Sequence, residues 1–495
     1  MSLISGATSA HYRAMAAGSP SAHSDKKAPF SELFQNGRAF TTILIVLSAV
    51  IQALQVLVIA IIMPTVVGDI GGAAYFTWPA MLYTMGGIVG SMCVGTVWNS
   101  IGARNGYAVS GIVFLVCTVG CAMAPNMAVL VAWRTVQGLA GGLIAGGSLA
   151  MISDMFDARL RTRVLAVQQT TWTTSHLFGP FVGGMFAEMN WWRGSFWVMV
   201  PVIIAFLAIT WIKVPARLPS DERAPSSPIP FLRLTVLSAS VFCLALAGPV
   251  HDNLMRLALI IGAVALLWWV LRLDDTSADR MFPTHVFSPG SVVGLAMWVL
   301  LLGGATQNSL TLFMPLLLQV VHHVNPLIIN FLTIIISLGW TIGAIVASGW
   351  SGPREKFAFV AGPWLMVVSM IVIAIVAQLP LLPVLTIASF CVGFGTGMHN
   401  VHLVSRTLGN APPGEERAIA GALPSIRQLG TAFGAAVAGI LANLAGLDTV
   451  TDAEVVGRAV TFIYSFNVLP LLVAAFFMMR FVQKIYAPRP ALASK

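Results

Sequence analysis

The chain has 495 residues, of which 57% are hydrophobic and only 9% charged, where a soluble domain carries about 25% charged residues. Its mean hydropathy of +0.85 is more apolar surface than one water-soluble core can hide, which excludes an ordinary globular protein and makes lipid the solvent. The formal net charge of +9 implies no nucleic-acid partner, because no soluble segment is long enough to present a basic patch.

Residues 1–37 mix Ser, Ala and Gly with scattered charges and lack the apolar stretch of a secretory signal, so they read as a flexible cytoplasmic tail. Beyond them, uncharged runs cover 39–68, 70–103, 105–133, 135–153, 164–187, 194–212, 234–251, 281–353 and 357–405. A spanning helix needs about 20 apolar residues, so the longest runs each hold two. Gly, Pro and Asn mark the breaks, in "SIGARNG" (100–106), "APNM" (124–127), "HHVNP" (322–326) and "QLPLLP" (378–383). Fourteen helices are predicted, near 41–66, 75–98, 106–124, 128–153, 164–187, 195–213, 233–250, 255–272, 290–320, 326–350, 357–378, 382–404, 418–444 and 459–482. The eighth requires Arg256 and Arg272 to snorkel from its ends. The expected fold is an all-α membrane protein. It has a six-helix bundle over 38–214, a linker with two extra helices over 215–285, a second six-helix bundle over 286–484 and a cytoplasmic tail over 485–495.

Fourteen crossings put both termini on one side of the bilayer. With the N-terminus in the cytoplasm, 22 Lys and Arg fall on cytoplasmic segments and three (Arg193, Arg256, Arg458) on the other side, while Arg134 and Arg427 lie inside helices. That asymmetry points to cytoplasmic termini, in an inner or plasma membrane. All five cysteines fall within predicted helices as small packing residues. There is no metal-ligand spacing, phosphate-binding glycine loop or catalytic constellation, so no metal, cofactor or enzymatic activity is expected.

The sequence also repeats itself coarsely. "GTVWNSIGAR" (95–104) after helix two has a counterpart in "GWSGPREK" (349–356) after helix ten. "GPFVGG" (179–184) in helix five is matched by "GTAFGAAVAG" (430–439) in helix thirteen. Two repeated bundles enclosing a central site is the architecture of a rocking transporter. Pro180 lacks a backbone N–H, and Gly179 and Gly183 present a small-residue face; together they make either a bendable, close-packed seam or a static packing kink.

Polar residues interrupt spans that lipid would keep apolar. Gln52 and Gln55 share one face of helix one, and helix five carries "QQTTWTTSH" (168–176). Helix nine carries "TQNSLT" (306–311) and helix twelve "GMHNVH" (397–402). Such runs must face protein or water. One reading is a wet cavity lined from both bundles by Gln52, Gln55, Trp172, Gln307, Asn308, His399 and Asn400. The other is hydrogen bonding between helices, worth roughly 0.6 kcal/mol apiece. Arg134, in "AWRTVQGLAGG" (132–142), is the most constrained residue, since a buried guanidinium without partners costs at least about 3 kcal/mol. It is either a structural donor to carbonyls and to amides such as Gln55, or a charge that senses proton or substrate.

"GTVWNSIGAR", "WRTVQGLAGG", "HLFGPFVGG" and "WWRGSFWVMVP" stand in the order and places of the major facilitator superfamily. The helix count, "PLLLQ" (315–319) and "PPGEERAIAGALPSIRQLGTAFGAAVAG" (412–439) resemble its fourteen-helix drug:proton antiporter branch, over roughly residues 40–483. The resemblance implies alternating access, a small-molecule substrate in a central cavity and export powered by proton entry; a monomer embedded in the lipid bilayer is expected. By this likeness Arg134 is the proton-transfer arginine, Gly179, Pro180, Gly183 and Gly184 form the antiporter motif, and Gly95, Gly102 and Arg104 belong to the cytoplasmic gating loop.

Two departures stand out against similar proteins. Gln55 occupies the slot where helix one usually carries an aspartate, and Asn99 replaces the typical acid of the gating loop. No Asp or Glu lies deep in a predicted helix; Asp69, Asp154 and Glu188 are near ends. Proton coupling would therefore use His176, His399, His402 or an edge carboxylate such as Glu188, since imidazole titrates near physiological pH. A chamber with Arg134, with or without Arg427, with three His and no buried acid favours neutral or anionic amphiphiles, with Trp78, Trp172 and Met398 as apolar contacts or plain packing. The expected function is proton-coupled export of hydrophobic compounds. The alternatives are an exchanger of anionic metabolites and a transport-incompetent sensor or lipid-interacting scaffold.

Overall fold

The computed structural model describes residues 32–33, 35, 38–156, 158–214, 230–277, 280, 282–284, 286–412, 415–447 and 452–486. Among them are fourteen helices of fifteen residues or more, and no strand. The first six are α1 (Arg38–Ile70), α2 (Trp78–Ile101), α3 (Ala103–Ala122), α4 (Met127–Met155), α5 (Ala158–Glu188) and α6 (Met199–Lys213), the last entered through a single turn at Gly194–Trp197. An intervening pair, α7 (Phe231–Leu246) and α8 (Asn253–Asp275), leads to α9 (Val292–Leu316), α10 (Pro326–Ala347), α11 (Pro353–Val376), α12 (Leu382–Gly409), α13 (Glu416–Leu444) and α14 (Ala453–Ile485). Eleven spans among the described residues are long and apolar enough to cross a membrane, so the chain is a multi-pass membrane protein. Of the other three, α7 has only 16 residues, α10 contributes the shorter apolar stretch Ile334–Ala347, and α5 has no qualifying stretch among the described residues.

Local chemistry sets the ends. Asn126, Asp252, Ser291 and Asp452 each accept a backbone N–H in the first turn of the helix they precede. Pro79, Pro353 and Pro383 occupy first turns, where a missing N–H costs nothing. Pro353 draws "PREK" into α11, four residues earlier than the sequence pattern predicts at 357. The predicted ninth helix runs to 320, but the regular helix stops at Leu316 and continues as a π turn over Leu317–Val321. Pro315 lies inside α9 just before this change.

The internal repeat is visible in the packing. In the first bundle α2 and α3 pack on α4 and α1 packs on α5; in the second, eight helices later, α10 and α11 pack on α12 and α9 packs on α13. The extra helices form a hairpin, pinned by Arg233 to Asp274 at 2.5 Å and by Ser240 Oγ donating to Ala263 O at 2.7 Å. Its α7 lies against α2 and α13, one from each bundle.

We call distal the end of the molecule where α1 stops and α2 starts. One apolar core there joins the bundles, with Val58–Val67 of α1 and Met81–Ile88 of α2 packed with Leu310–Leu318 and Leu429–Leu447. Phe76 meets Phe313 at 5.4 Å between ring centroids, and Asn443 Nδ2 donates to Ala74 O at 3.1 Å. Asn325 Nδ2 donates to Glu188 Oε1 at 2.9 Å across the same end. The remaining apolar clusters each belong to one bundle or the other. The bundles are thus fused distally, with separate cores proximally.

Close helix approach is testable at Gly142, where an added Cβ would strike the Gly87 carbonyl of α2, whereas at Gly95 it would meet nothing within 4 Å. Gly142→Leu is expected to destabilise by about 3 kcal/mol or more and to lose the monodisperse peak in detergent chromatography, while Gly95→Ala keeps it.

Candidate functional site

Inside the first bundle, α1, α2, α3 and α4 converge on Arg134, which is 0% exposed. Its Nε donates to Pro79 O (3.2 Å), NH1 to Gln55 Oε1 (2.9 Å) and Gln137 Oε1 (2.8 Å), and NH2 to Gln55 O (3.2 Å). The Tyr83 ring covers the guanidinium at 4.0 Å. Four of the five N–H groups of a guanidinium are therefore used, all on neutral oxygens. The network extends outward: Gln137 Nε2 donates to Thr118 Oγ1 (2.8 Å), Tyr83 Oη to Gln52 Oε1 (3.0 Å), and Gln52 Nε2 to Gly141 O. Gln52 and Gln55 are thus members of a sealed network within the first bundle, and the structure does not bring them to the residues of helix nine.

A second guanidinium belongs to the other bundle. Arg427 of α13 is half-buried, donates through NH2 to Gln307 Oε1 of α9 (3.1 Å) and stacks on Trp340 of α10 at 4.1 Å. Beside it, Asn308 Nδ2 donates to Thr431 O (3.0 Å) and so ties α9 to α13. His399 of α12 is buried, with Nδ1 2.7 Å from Gly395 O. Asn400 and Trp172 are half-buried; the side chain of His176 lies outside the described residues.

His402 is elsewhere, at the proximal mouth, where Nε2 sits 2.8 Å from Ala347 O and Nδ1 3.7 Å from Glu355 Oε1. Glu355 is buried and accepts two bonds from Arg406 (Nε 2.7 Å, NH2 2.5 Å) and one from Tyr486 Oη (3.0 Å). Burial and the adjacent carboxylate push the Tyr486 hydroxyl above its ordinary pKa, which keeps it a donor. A cavity of about 540 Å³ opens here, lined by Trp350, Glu355, His402 and Arg406 among others. Of the expected residues, Gln52 and Gln55 thus belong to the network of the first bundle, Gln307, Asn308 and His399 to the second bundle, and His402 to the proximal mouth.

The motif glycines act as packing surfaces. Gly179 faces Leu54 and Leu57 of α1, and Gly183 faces Val58 and Ile61; the side chain of Pro180 is outside the described residues, and Gly184 is buried. Gly430 and Gly434 of α13 lie the same way against Leu301 and Ala305 of α9. In the gating loop, Gly102 has φ +81°, a conformation that L side chains rarely adopt, and it turns α2 into α3. Asn99 and Arg104 make no side-chain hydrogen bond or ion pair among the described residues, whereas the counterpart loop in the second bundle holds the Glu355–Arg406 pair.

These features agree with the comparisons to known proteins. The family profile of the Major Facilitator Superfamily matches residues 45–435. The chain belongs to this superfamily. A probable multidrug-efflux transporter of Mycobacterium tuberculosis is 31% identical over 401 residues, 78% of this chain and 83% of that protein. The multidrug export protein EmrB of Haemophilus influenzae is 24% identical over 294 residues, 57% of this chain and 56% of that protein. Among solved structures, a POT family transporter in complex with 5-aminolevulinic acid superposes with a TM-score of 0.66 at 12% identity, covering 92% of this chain and 99% of that one. A D-xylose-proton symporter gives 0.62 at 14%, covering 90% and 98%. Both share the superfamily fold.

Several residues of these sites escaped the sequence reading. Tyr83, Gln137 and Trp340 look like ordinary helix residues until their partners are placed. Glu355 and Arg406 carried a usable signal, an acid in the first turn of α11 and a base in the last turn of α12.

Gln55→Leu removes one acceptor from a fully buried guanidinium and is expected to cost about 1–3 kcal/mol. Gln55→Glu restores an acceptor and is expected to recover most of that loss, both read as thermal midpoints of the purified protein. Glu355→Ala strips Arg406 and Tyr486 of their shared acceptor and is expected to cost a similar amount, about 1–3 kcal/mol, in the same assay.

Proposed function

We propose that the chain is a secondary active transporter that exports small hydrophobic or amphiphilic compounds by alternating access, coupled to proton entry and acting as a monomer. The observation that carries this reading is the one-ended seal, two repeated bundles that share a core distally and keep separate cores proximally. With cytoplasmic termini, as the basic-residue asymmetry implies, the arrangement is a state closed to the outside. The glycine faces of α5 and α13, each against the first helix of its own bundle, support a rocking motion of whole bundles. The relationship to multidrug-efflux proteins supports a drug-like substrate.

In this proposal Arg134 with Gln55 is a fixed polar hub, and proton coupling falls to imidazole. His402 beside Glu355 and His399 near Arg427 are the candidates. A second reading, exchange of anionic metabolites without net proton movement, draws support from Gln55, whose amide cannot take up a proton.

The test uses everted membrane vesicles and a panel of neutral, anionic and cationic fluorescent amphiphiles. A neutral or anionic compound is expected to accumulate under an imposed pH gradient. That accumulation should collapse with a protonophore and be lost in Arg134→Ala. Accumulation that survives the protonophore favours the exchanger. Absence of both accumulation and counterflow defeats both transport readings, and accumulation of cations alone rejects the charge preference.

A further inference from the structure

We propose that Arg427, stacked on Trp340 and held by Gln307, forms an anion subsite that recognises the carboxylate of a hydrophobic organic acid. This deepens the export reading by naming a substrate class, and it rests on that reading for its physiological meaning alone.

The argument starts from an imbalance of charge with depth. Every Asp and Glu in the fourteen helices lies in a first or last turn. Among the basic residues of the fourteen helices, Arg163, Arg458 and Arg480 lie in second turns and only Arg134 and Arg427 lie deeper, and these two are held differently. Arg134 is sealed, with four N–H groups on protein oxygens. Arg427 is half-buried near the middle of α13, and its one hydrogen bond among the described residues goes to Gln307. A guanidinium offers five N–H donors in a planar fork that matches a carboxylate. Its charge has no carboxylate partner within ion-pair distance among the described residues, an arrangement that is costly at membrane depth unless something else supplies the anion.

The placement favours a solute as that anion. α10 and α13 are not close-packed neighbours, and each instead meets a helix of the opposite bundle, α5 and α2 respectively. The Arg427–Trp340 contact therefore reaches across the face that the second bundle turns toward the first. The stack fixes the plane of the guanidinium, and the Gln307 bond fixes its rotation. His399 on α12 is hydrogen-bonded to its own helix at Gly395 O, and an imidazole, neutral or protonated, carries no negative charge to offset the guanidinium. A carboxylate on an apolar body would meet the fork with its charge and the surrounding spans with its body. A small inorganic anion shares the first half of that chemistry, and the test separates the two.

The experiment is equilibrium binding of radiolabelled 2-naphthoate to the full-length chain in nanodiscs, with competition by 2-naphthamide, 2-naphthylmethylamine and sodium chloride. The wild type is expected to prefer the acid over the amide by roughly tenfold, as one charge-assisted fork would give, with the amine weakest and chloride a poor competitor. In Arg427→Gln the acid-to-amide ratio is expected to fall to about one, while Arg427→Lys retains part of it. Trp340→Leu is expected to lower the ratio in between. Each variant is compared only if it elutes as one species, and the wild-type competition stands without any variant. An unchanged ratio in Arg427→Gln, a wild type that does not prefer the acid, or chloride that displaces the acid stoichiometrically overturns the subsite. A preserved acid preference without vesicle export would instead overturn the export reading.

Discussion

The guanidinium of Arg134 is the interaction around which the first bundle is organised. Its acceptors come from α1, α2 and α4, so one side chain fixes the mutual register of three helices. Because those acceptors are neutral, the cluster keeps its positive charge in a low-dielectric interior. Hydrogen bonds and the face of Tyr83 offset desolvation there, where a carboxylate would have added Coulomb attraction. An acid at position 55 would give the hub two protonation states. The amide gives it one, and the hub is therefore a fixed element of the fold within which other groups must do any titrating.

The two bundles answer the same structural problem with different chemistry at their proximal ends. In the first, the loop between α2 and α3 turns at Gly102 and anchors itself by burying Trp98 against Gly106, while Asn99 contributes no ion pair. In the second, the equivalent loop delivers Glu355 into a pocket where Arg406 and Tyr486 fix both of its oxygens. The latch joins the start of α11 to the ends of α12 and α14, so it stiffens the second bundle internally. Charge in this chain is thus concentrated where helices end, and the mid-depth interior holds arginine and amide.

Much of this architecture was legible in the sequence, because the periodic signals are one-dimensional. Uncharged length gives the helices, and the Gly, Pro and Asn breaks give most of their ends to within a few residues, while Pro353 starts α11 four residues before the expected 357. The glycines of helices five and thirteen were visible as small-residue motifs in matching places, and they lie against α1 and α9. The partnership of Arg134 with Gln55 was also readable, since both interrupt apolar runs and each needs the other. The grouping of the remaining polar residues was not. Gln52, Gln307 and His402 look alike in sequence as amides and imidazoles within apolar spans, yet they sit in separate places, because which helix each one faces is set by tertiary packing. Aromatic partners such as Tyr83 and Trp340 were equally silent, since a ring over a guanidinium leaves no mark in composition.

The one-ended seal constrains what any transported solute must do. Opening the distal end exposes the shared core formed by α1, α2, α9 and α13 and breaks the bonds from Asn443 and Asn325. A solute shifts the balance between closed and open states only by interacting differently with the two. It gains little from Arg134, whose donors are already saturated in the closed state and belong to a single bundle. Side chains with unused donors on the faces between bundles are the places where a solute adds an interaction the protein lacks, and where the proposed rocking would change that interaction. In the proposed rocking cycle, coupling between binding and motion belongs to the helices flanking the interface, α10 and α13 with α5 and α2.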